Sequence, residues 1–301
     1  MVRTKVDDIG EDGLYILTGS TIVDCSKIMH SGAGRIHRLM MRPMSLYESL
    51  ESNGKISIME LFKNPNLDID DIESDLSIDD LFFAMCRGGW PSSLNKKTKK
   101  SQLSVVYSYL DIISNEDMIS IDDTKRDPKK VRFILQSYAR YISTNVKNTM
   151  IMADINYHFG EISEPTFYSY IKALKKLFVI DNIDAWSPNI KSKTSIRSSE
   201  KKEFIDPSIA VAALNLNPES LYENMVNTGF IFENLCIRDL SVYTSHYGGI
   251  ISYYRDKSGL EVDCVIHLRN GDYALIEFKL GMSEEDKGAR NLLKMKELRV
   301  L

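Results

Sequence analysis

Cysteine is scarce in this chain of 301 residues, and its placement excludes the usual roles. Cys25, Cys86, Cys236 and Cys264 are scattered with no C-x-x-C spacing, so they read as reduced thiols rather than a zinc site or a disulfide framework. The five histidines form no H-x-x-x-H or H-E-x-x-H pair, which removes the common signature of a zinc hydrolase. No G-x-x-x-x-G-K-[ST] occurs, so the loop that cradles a nucleotide triphosphate is missing. No apolar run approaches the roughly 20 residues needed to cross a bilayer, and the acidic, polar N-terminus has no signal-peptide core. A cytoplasmic protein is expected. The net charge of −4 gives the chain as a whole no basic excess.

The length suggests two or three domains, and the apolar and aromatic content is that of an ordinary globular protein. The most informative residues lie near the C-terminus. Gly259-Leu260-Glu261-Val262-Asp263-Cys264-Val265-Ile266 and Tyr273-Ala274-Leu275-Ile276-Glu277-Phe278-Lys279-Leu280 read as two apolar strands (260–267 and 273–280) joined by the polar turn Arg269-Asn270-Gly271-Asp272. Alternation along the second strand puts Glu277 and Lys279 on one face, with Ile276 and Phe278 turned into a core. Asp263, Glu277 and Lys279 interrupt apolar runs, which is costly unless they are paired or bind something. Upstream, Phe230-Ile231-Phe232-Glu233-Asn234-Leu235 reads as a helix carrying one acid in an apolar face. Two carboxylates and an ammonium beside one sheet can hold a divalent cation and activate water against a phosphodiester. A solvated strand face is the other reading of the same residues.

Glu233, Asp263 and Glu277-x-Lys279 resemble the helix acid, strand Asp and E-x-K of the PD-(D/E)xK nuclease superfamily. The wider segments 229–235, 253–263 and 274–279 resemble a prokaryotic family in which an AAA-type P-loop ATPase module precedes a winged helix and a nuclease-like domain of unknown function. The resemblance covers nearly the whole chain and implies an α/β multidomain fold: the C-terminal part of an ATPase core (1–50), a helical lid or linker (51–125), a winged-helix domain (126–206) and a restriction-endonuclease-like α/β domain (207–301). It implies that Asp263 and Glu277 bind Mg²⁺ or Mn²⁺. Lys279 would orient water or stabilise the phosphorane, and Glu233 would steady the metal or a second water. Lys257 and Ser258, in the turn before the Asp263 strand, would touch phosphate, and Arg255 would either do the same or simply pair with an acid.

Leu14-Tyr15-Ile16-Leu17-Thr18-Gly19 reads as a buried strand ending in a turn, followed by a helix from Ser20 to about Met29 and a further strand approach at 32–39. The resemblance makes these late pieces of the ATPase, with Thr18, Ser20 and Arg35 facing nucleotide and the module able to assemble a homo-oligomer. Turn chemistry and a surface arginine explain the same residues without nucleotide. The chain departs from the family because the phosphate loop and the Mg-binding acids are absent, so ATP is expected only with a region upstream of residue 14. The chain therefore reads as a piece of a longer protein, and Arg299-Val300-Leu301 as the start of a lost strand whose absence exposes a sheet edge.

The acidic stretch 64–80 lacks the glycine and terminal Glu of a calcium loop and reads as a solvated face. Helices are expected from Ile78 to Met85 and over 101–116, with a tight turn at Gly88-Gly89-Trp90-Pro91 between them. Residues 128–185 read as a winged helix. Val131, Ile134, Leu135, Tyr138 and Ile142 form one helical stripe, 149–158 a second helix, and Ser163-Glu164-Pro165-Thr166 a strong start for a recognition helix. Residues 178–180 and 183–186 read as a wing strand. Between 163 and 202 eight basic residues stand against four acids, a local excess suited to phosphate. Thr166, Lys172, Lys175, Lys176, Lys191, Lys193 and Arg197 are the candidate DNA contacts. Asp206, before Pro207, is expected to cap a helix rather than catalyse. The expected function is thus a metal-dependent nuclease with a DNA-binding winged helix, linked to an AAA-type ATPase. The alternatives are a non-catalytic nucleic-acid or protein binding module in the same setting, and a fragment without function.

Overall fold

The computed structural model describes residues 2–19, 36–122, 124–187, 199–281 and 285–297. It is mixed α/β, with about a dozen helices and one small four-stranded sheet. Residues 14–19 and 36–39 form neither strand nor helix, contrary to expectation, and Ile16 is left 91% exposed. The helix expected from Ser20 lies outside the described residues.

The main core is helical and runs from Phe82 to Leu235. Ser77 caps the helix Ile78–Arg87 by accepting from the Asp80 N–H, and its inner face buries Phe82, Met85 and Cys86. A Thr98–Ser101 capping box starts Lys99–Ile112, which continues as a π-turn through Asp117. Asp127 and Pro128 start Pro128–Arg140, whose expected stripe of Val131, Ile134, Leu135 and Tyr138 is buried. Each such side chain contributes about 1.5–3 kcal/mol of burial. Asn148–Phe159 and the Ser163-capped helix Glu164–Lys176 complete a three-helix group.

The segment after these helices does not form a regular wing. It makes two isolated antiparallel bridges, Ile180 to Phe204 and Ile183 to Lys201, and the expected wing tip at 188–198 lies outside the described residues. It then becomes β1, Asp184–Ala185, and pairs in parallel with β2, Ile250–Arg255. Strand β3, Glu261–His267, and β4, Tyr273–Ile276, extend the sheet as an antiparallel meander in the order β1-β2-β3-β4. One face packs Val262 and Val265 against Leu292 and Met295 of the helix Glu285–Glu297. The other packs Cys264, Ile266 and Leu268 against Leu240 of the long helix Met225–Ser245 and against Ile58, Met59 and Phe62 of Ile58–Lys63.

A buried ionic lock joins four segments. Asp206 caps the helix Pro207–Ala213, accepting from Ser208 through its N–H and its hydroxyl. The other Asp206 oxygen accepts from the Gly89 N–H at 2.9 Å and from Arg238 Nη1 at 2.8 Å. Arg238 also reaches Asp239, whose second oxygen accepts from the Leu46 N–H at 3.0 Å. Gly89 is required because a Cβ there would stand 2.1 Å from the Met44 carbonyl oxygen.

Candidate metal and phosphodiester site

Strand β3 departs from simple alternation at the point that matters. Val262 pairs with Tyr254 and Val265 with Ser252, so Asp263 and Cys264 together oppose Tyr253. This is a β-bulge, a device that re-aims a side chain. It puts Val262 and Val265 into one core cluster and Cys264 and Ile266 into another. Asp263, between them, is turned toward the end of β4.

Strand β4 stops at Ile276, shorter than the expected 273–280. The reason is local: the Phe278 N–H leaves the ladder and donates to Asp263 Oδ2 at 3.0 Å. Glu277 and Lys279 share a side, and Lys279 Nζ donates to Glu277 Oε2 at 2.7 Å, to Asp263 Oδ2 at 3.2 Å and to the Phe278 carbonyl at 3.0 Å. The second Glu277 oxygen is buried and has no partner. Burial holds the Glu277 carboxyl above its ordinary range, with the Asp263 charge adding to the effect and Lys279 opposing it.

Glu233, on the helix Met225–Ser245, reaches the site through a residue that the sequence did not single out. Lys201 is 2% exposed and its ammonium is in direct contact with Glu233 Oε1. It also donates to the Asp263 main-chain carbonyl at 3.2 Å and lies 3.9 Å from Asp263 Oδ1. Burial works against that charge, but Glu233, Asp263 and Glu203 override it and hold the lysine above its usual range. Glu203 is itself fully buried; its Oε2 accepts from Ser143 and Asn234, its Oε1 has no partner, and burial raises its pKa to about 7. In sequence Lys201 and Lys202 counted toward a basic excess. Both are buried instead, and the only hint was their position just upstream of the apolar pair Phe204-Ile205, with Glu203 between.

Three carboxylates, Glu233, Asp263 and Glu277, thus meet two ammonium groups, Lys201 and Lys279. Among the described residues no three Asp, Glu, His or Cys side chains form a ready-made metal cage. Two carboxylates can still hold Mg²⁺ or Mn²⁺, ions that keep several of their waters. The unpartnered, buried Glu277 oxygen is a donor that fits such an ion.

The remaining candidates are more dispersed. Ser258 closes a turn onto Asp256, Arg255 donates to Asn145 at 2.8 Å, and Lys257 is exposed. On the helix Glu164–Lys176, Thr166 contacts the capping Ser163, Lys172 is exposed, Lys175 pairs with Glu200 at 2.7 Å, and Lys176 is half-buried. Lys191, Lys193 and Arg197 lie outside the described residues, as do Ser20 and Arg35; Thr18 is exposed on irregular chain.

No curated protein and no solved structure matches the chain. Residues 78–220 match a family described as a domain of unknown function, DUF8612. Residues 228–300, which carry Glu233, Asp263, Glu277 and Lys279, match a second, DUF4143, a domain often found C-terminal to AAA ATPases.

Proposed function

We propose that the Asp263–Glu277–Lys279 site is a divalent-cation-dependent phosphodiesterase acting on DNA, carried by a protein linked to an AAA-type ATPase. The observation that supports it best is Glu277. Its side chain is 6% exposed, one oxygen is bound to Lys279 and the other is unpartnered, next to a second carboxylate that a bulge has aimed at it. An uncompensated buried oxygen of this kind is expensive, and a cation relieves it. Asp263 and Glu277 are the residues that would hold Mg²⁺ or Mn²⁺. When bound, the ion supplies Lewis-acid polarisation of a phosphoryl oxygen and a more acidic water.

The chain's own groups do the rest. The Phe278 N–H and the bulge fix the Asp263 carboxylate. Lys279, 20% exposed, is the group able to turn from its two carboxylates toward a water or a phosphorane oxygen. The three-helix group that ends in Glu164–Lys176 is read as the DNA-targeting arm, with Lys172 the exposed cation of its last helix. Nucleotide binding by Thr18, Ser20 and Arg35, and assembly through an ATPase module, belong to the same proposal and need a phosphate loop that this sequence does not contain.

A second reading has its own support. Lys279 already pairs with both carboxylates, as in a purely structural network; the domain would then bind nucleic acid or protein without cleaving. Single-stranded, duplex and branched DNA incubated with Mg²⁺, Mn²⁺ or EDTA separates the two. Metal-dependent cleavage lost in Asp263→Ala and Lys279→Ala is the expected result. A folded wild type that cleaves nothing in any metal establishes the binding reading.

A further inference from the structure

We infer that Lys201 occupies the place of a second metal ion, so that the site takes one divalent cation and Glu233 is not among its ligands. The inference rests on the metal-dependent reading above. A cation that bridges two carboxylates in a two-metal site touches an oxygen of each. The Lys201 ammonium stands in that place: it contacts Glu233 Oε1, bonds the Asp263 main-chain carbonyl at 3.2 Å and is ion-paired with Asp263 Oδ1 across 3.9 Å. The lysine is 2% exposed, so it is unable to leave for solvent and reach a substrate. It is anchored by the sequence around it, because its N–H and C=O bond Ile183 in the bridge that precedes β1. A built-in ammonium is therefore a fixed part of the site.

The two sides of Asp263 then differ. Toward Glu233 its oxygens meet a permanent cation. Toward Glu277 they meet Lys279, which is 20% exposed and displaceable, beside the unpartnered Glu277 oxygen. A displaceable cation and an unpartnered oxygen stand together on the Glu277 side, whereas on the other side the unpartnered Glu203 Oε1 lies beside the permanent Lys201 charge. With Lys201 present, the three carboxylates and two ammonium groups sum to one negative charge, or two with Glu203 ionised. A single divalent ion offsets that charge, and a second one would have to enter a site already neutral or positive.

The experiment is a Mn²⁺ titration of the full chain by calorimetry, with free Mn²⁺ counted in parallel by paramagnetic resonance. The wild type is expected to bind one equivalent, with affinity reduced at least tenfold in Asp263→Asn and in Glu277→Gln. Glu233→Gln is expected to stay within about threefold of wild type. Lys201→Met is expected to bind a second equivalent, which disappears in the Lys201→Met, Glu233→Gln double variant. If Lys201→Met fails to fold, Glu233→Gln still decides, because a tenfold loss there makes Glu233 a ligand and overturns the inference. Two equivalents in the wild type, or one in a folded Lys201→Met, also overturn it. Wild type that binds one Mn²⁺ but cleaves no DNA refutes the proposed activity and leaves Lys201 in its role. Two equivalents together with cleavage refute only the role of Lys201, and no Mn²⁺ binding by the wild type refutes both.

Discussion

Replacing Arg238 by Met is the sharpest test of how this fold is held together. The Arg238 side chain is 2% exposed, and its partners Asp206 and Asp239 are 0% and 9% exposed. Methionine keeps most of the volume but leaves two buried carboxylates facing each other with no counter-charge. Removing one partner of a buried pair costs about 3–5 kcal/mol, a large part of the ~5–15 kcal/mol that holds a typical domain. Arg132→Met is the control: its pair with Asp111 is 54% and 59% exposed, and such pairs contribute at most about 0.5–1 kcal/mol. Urea unfolding followed by tryptophan fluorescence is well placed to see the difference. Of the two tryptophans, Trp90 hydrogen-bonds Ser208 at the edge of the lock. Adding Asp239→Asn to Arg238→Met removes a stranded charge while keeping an acceptor for the Leu46 N–H, so it is expected to restore about 1–2 kcal/mol. A loss below about 1 kcal/mol for Arg238→Met, or further loss in the double variant, refutes the argument.

Gly89→Ala drives a methyl group into the Met44 backbone, so a loss of about 1–3 kcal/mol and faster proteolysis across residues 44–52 are expected; wild-type protease resistance would contradict the close packing. Glu203 makes stability depend on pH. Its carboxyl rises from 4.5 to about 7 on folding, so the native state holds the proton more tightly and that advantage is lost as pH climbs through 7. Urea midpoints at pH 5 and pH 8 are therefore expected to shift in favour of Glu203→Gln over wild type by roughly 2–3 kcal/mol, and a gap that does not change with pH sinks the idea. Lys172→Ala is expected to weaken duplex binding and lower its salt slope by about 1, whereas Lys175→Ala, already paired with Glu200, changes it less; equal slopes for all three proteins would remove Glu164–Lys176 from the interface.

Periodicity made much of the fold legible. The stripe from Val131 to Tyr138, the Ser163 and Asp206 caps and the first of the two C-terminal strands are local patterns, and each lies where its residues pointed, though the helix ends at Arg140 before Ile142. What stayed hidden depends on contacts between distant residues. The bulge at Asp263 exists only relative to β2, and strict period-2 alternation has no way to separate Val262 from Cys264. Strand β4 ends early because a backbone N–H finds a carboxylate 15 residues away. Lys201 joins the site through a bridge to Ile183 that nothing in its own neighbourhood announces. Leu14 to Gly19 shows the converse: a strand-like pattern that pairs with no strand among the described residues remains irregular chain.

The parallel pairing of β1 with β2 bears on how this protein can be cut and recombined. Ser252 and Tyr253 find their partners at Asp184 and Ala185, upstream of the family boundary between residues 220 and 228. A clone that begins at residue 207 or 228 would discard that edge strand together with Lys201, leaving β2 with one open side and Glu233 with no counter-charge. The C-terminal sheet is thus not a cassette that can be lifted out at the family border. Gene fusions and domain swaps that respect the sheet have to carry everything from about residue 178 onward, and libraries built on the shorter boundary are expected to return aggregated protein.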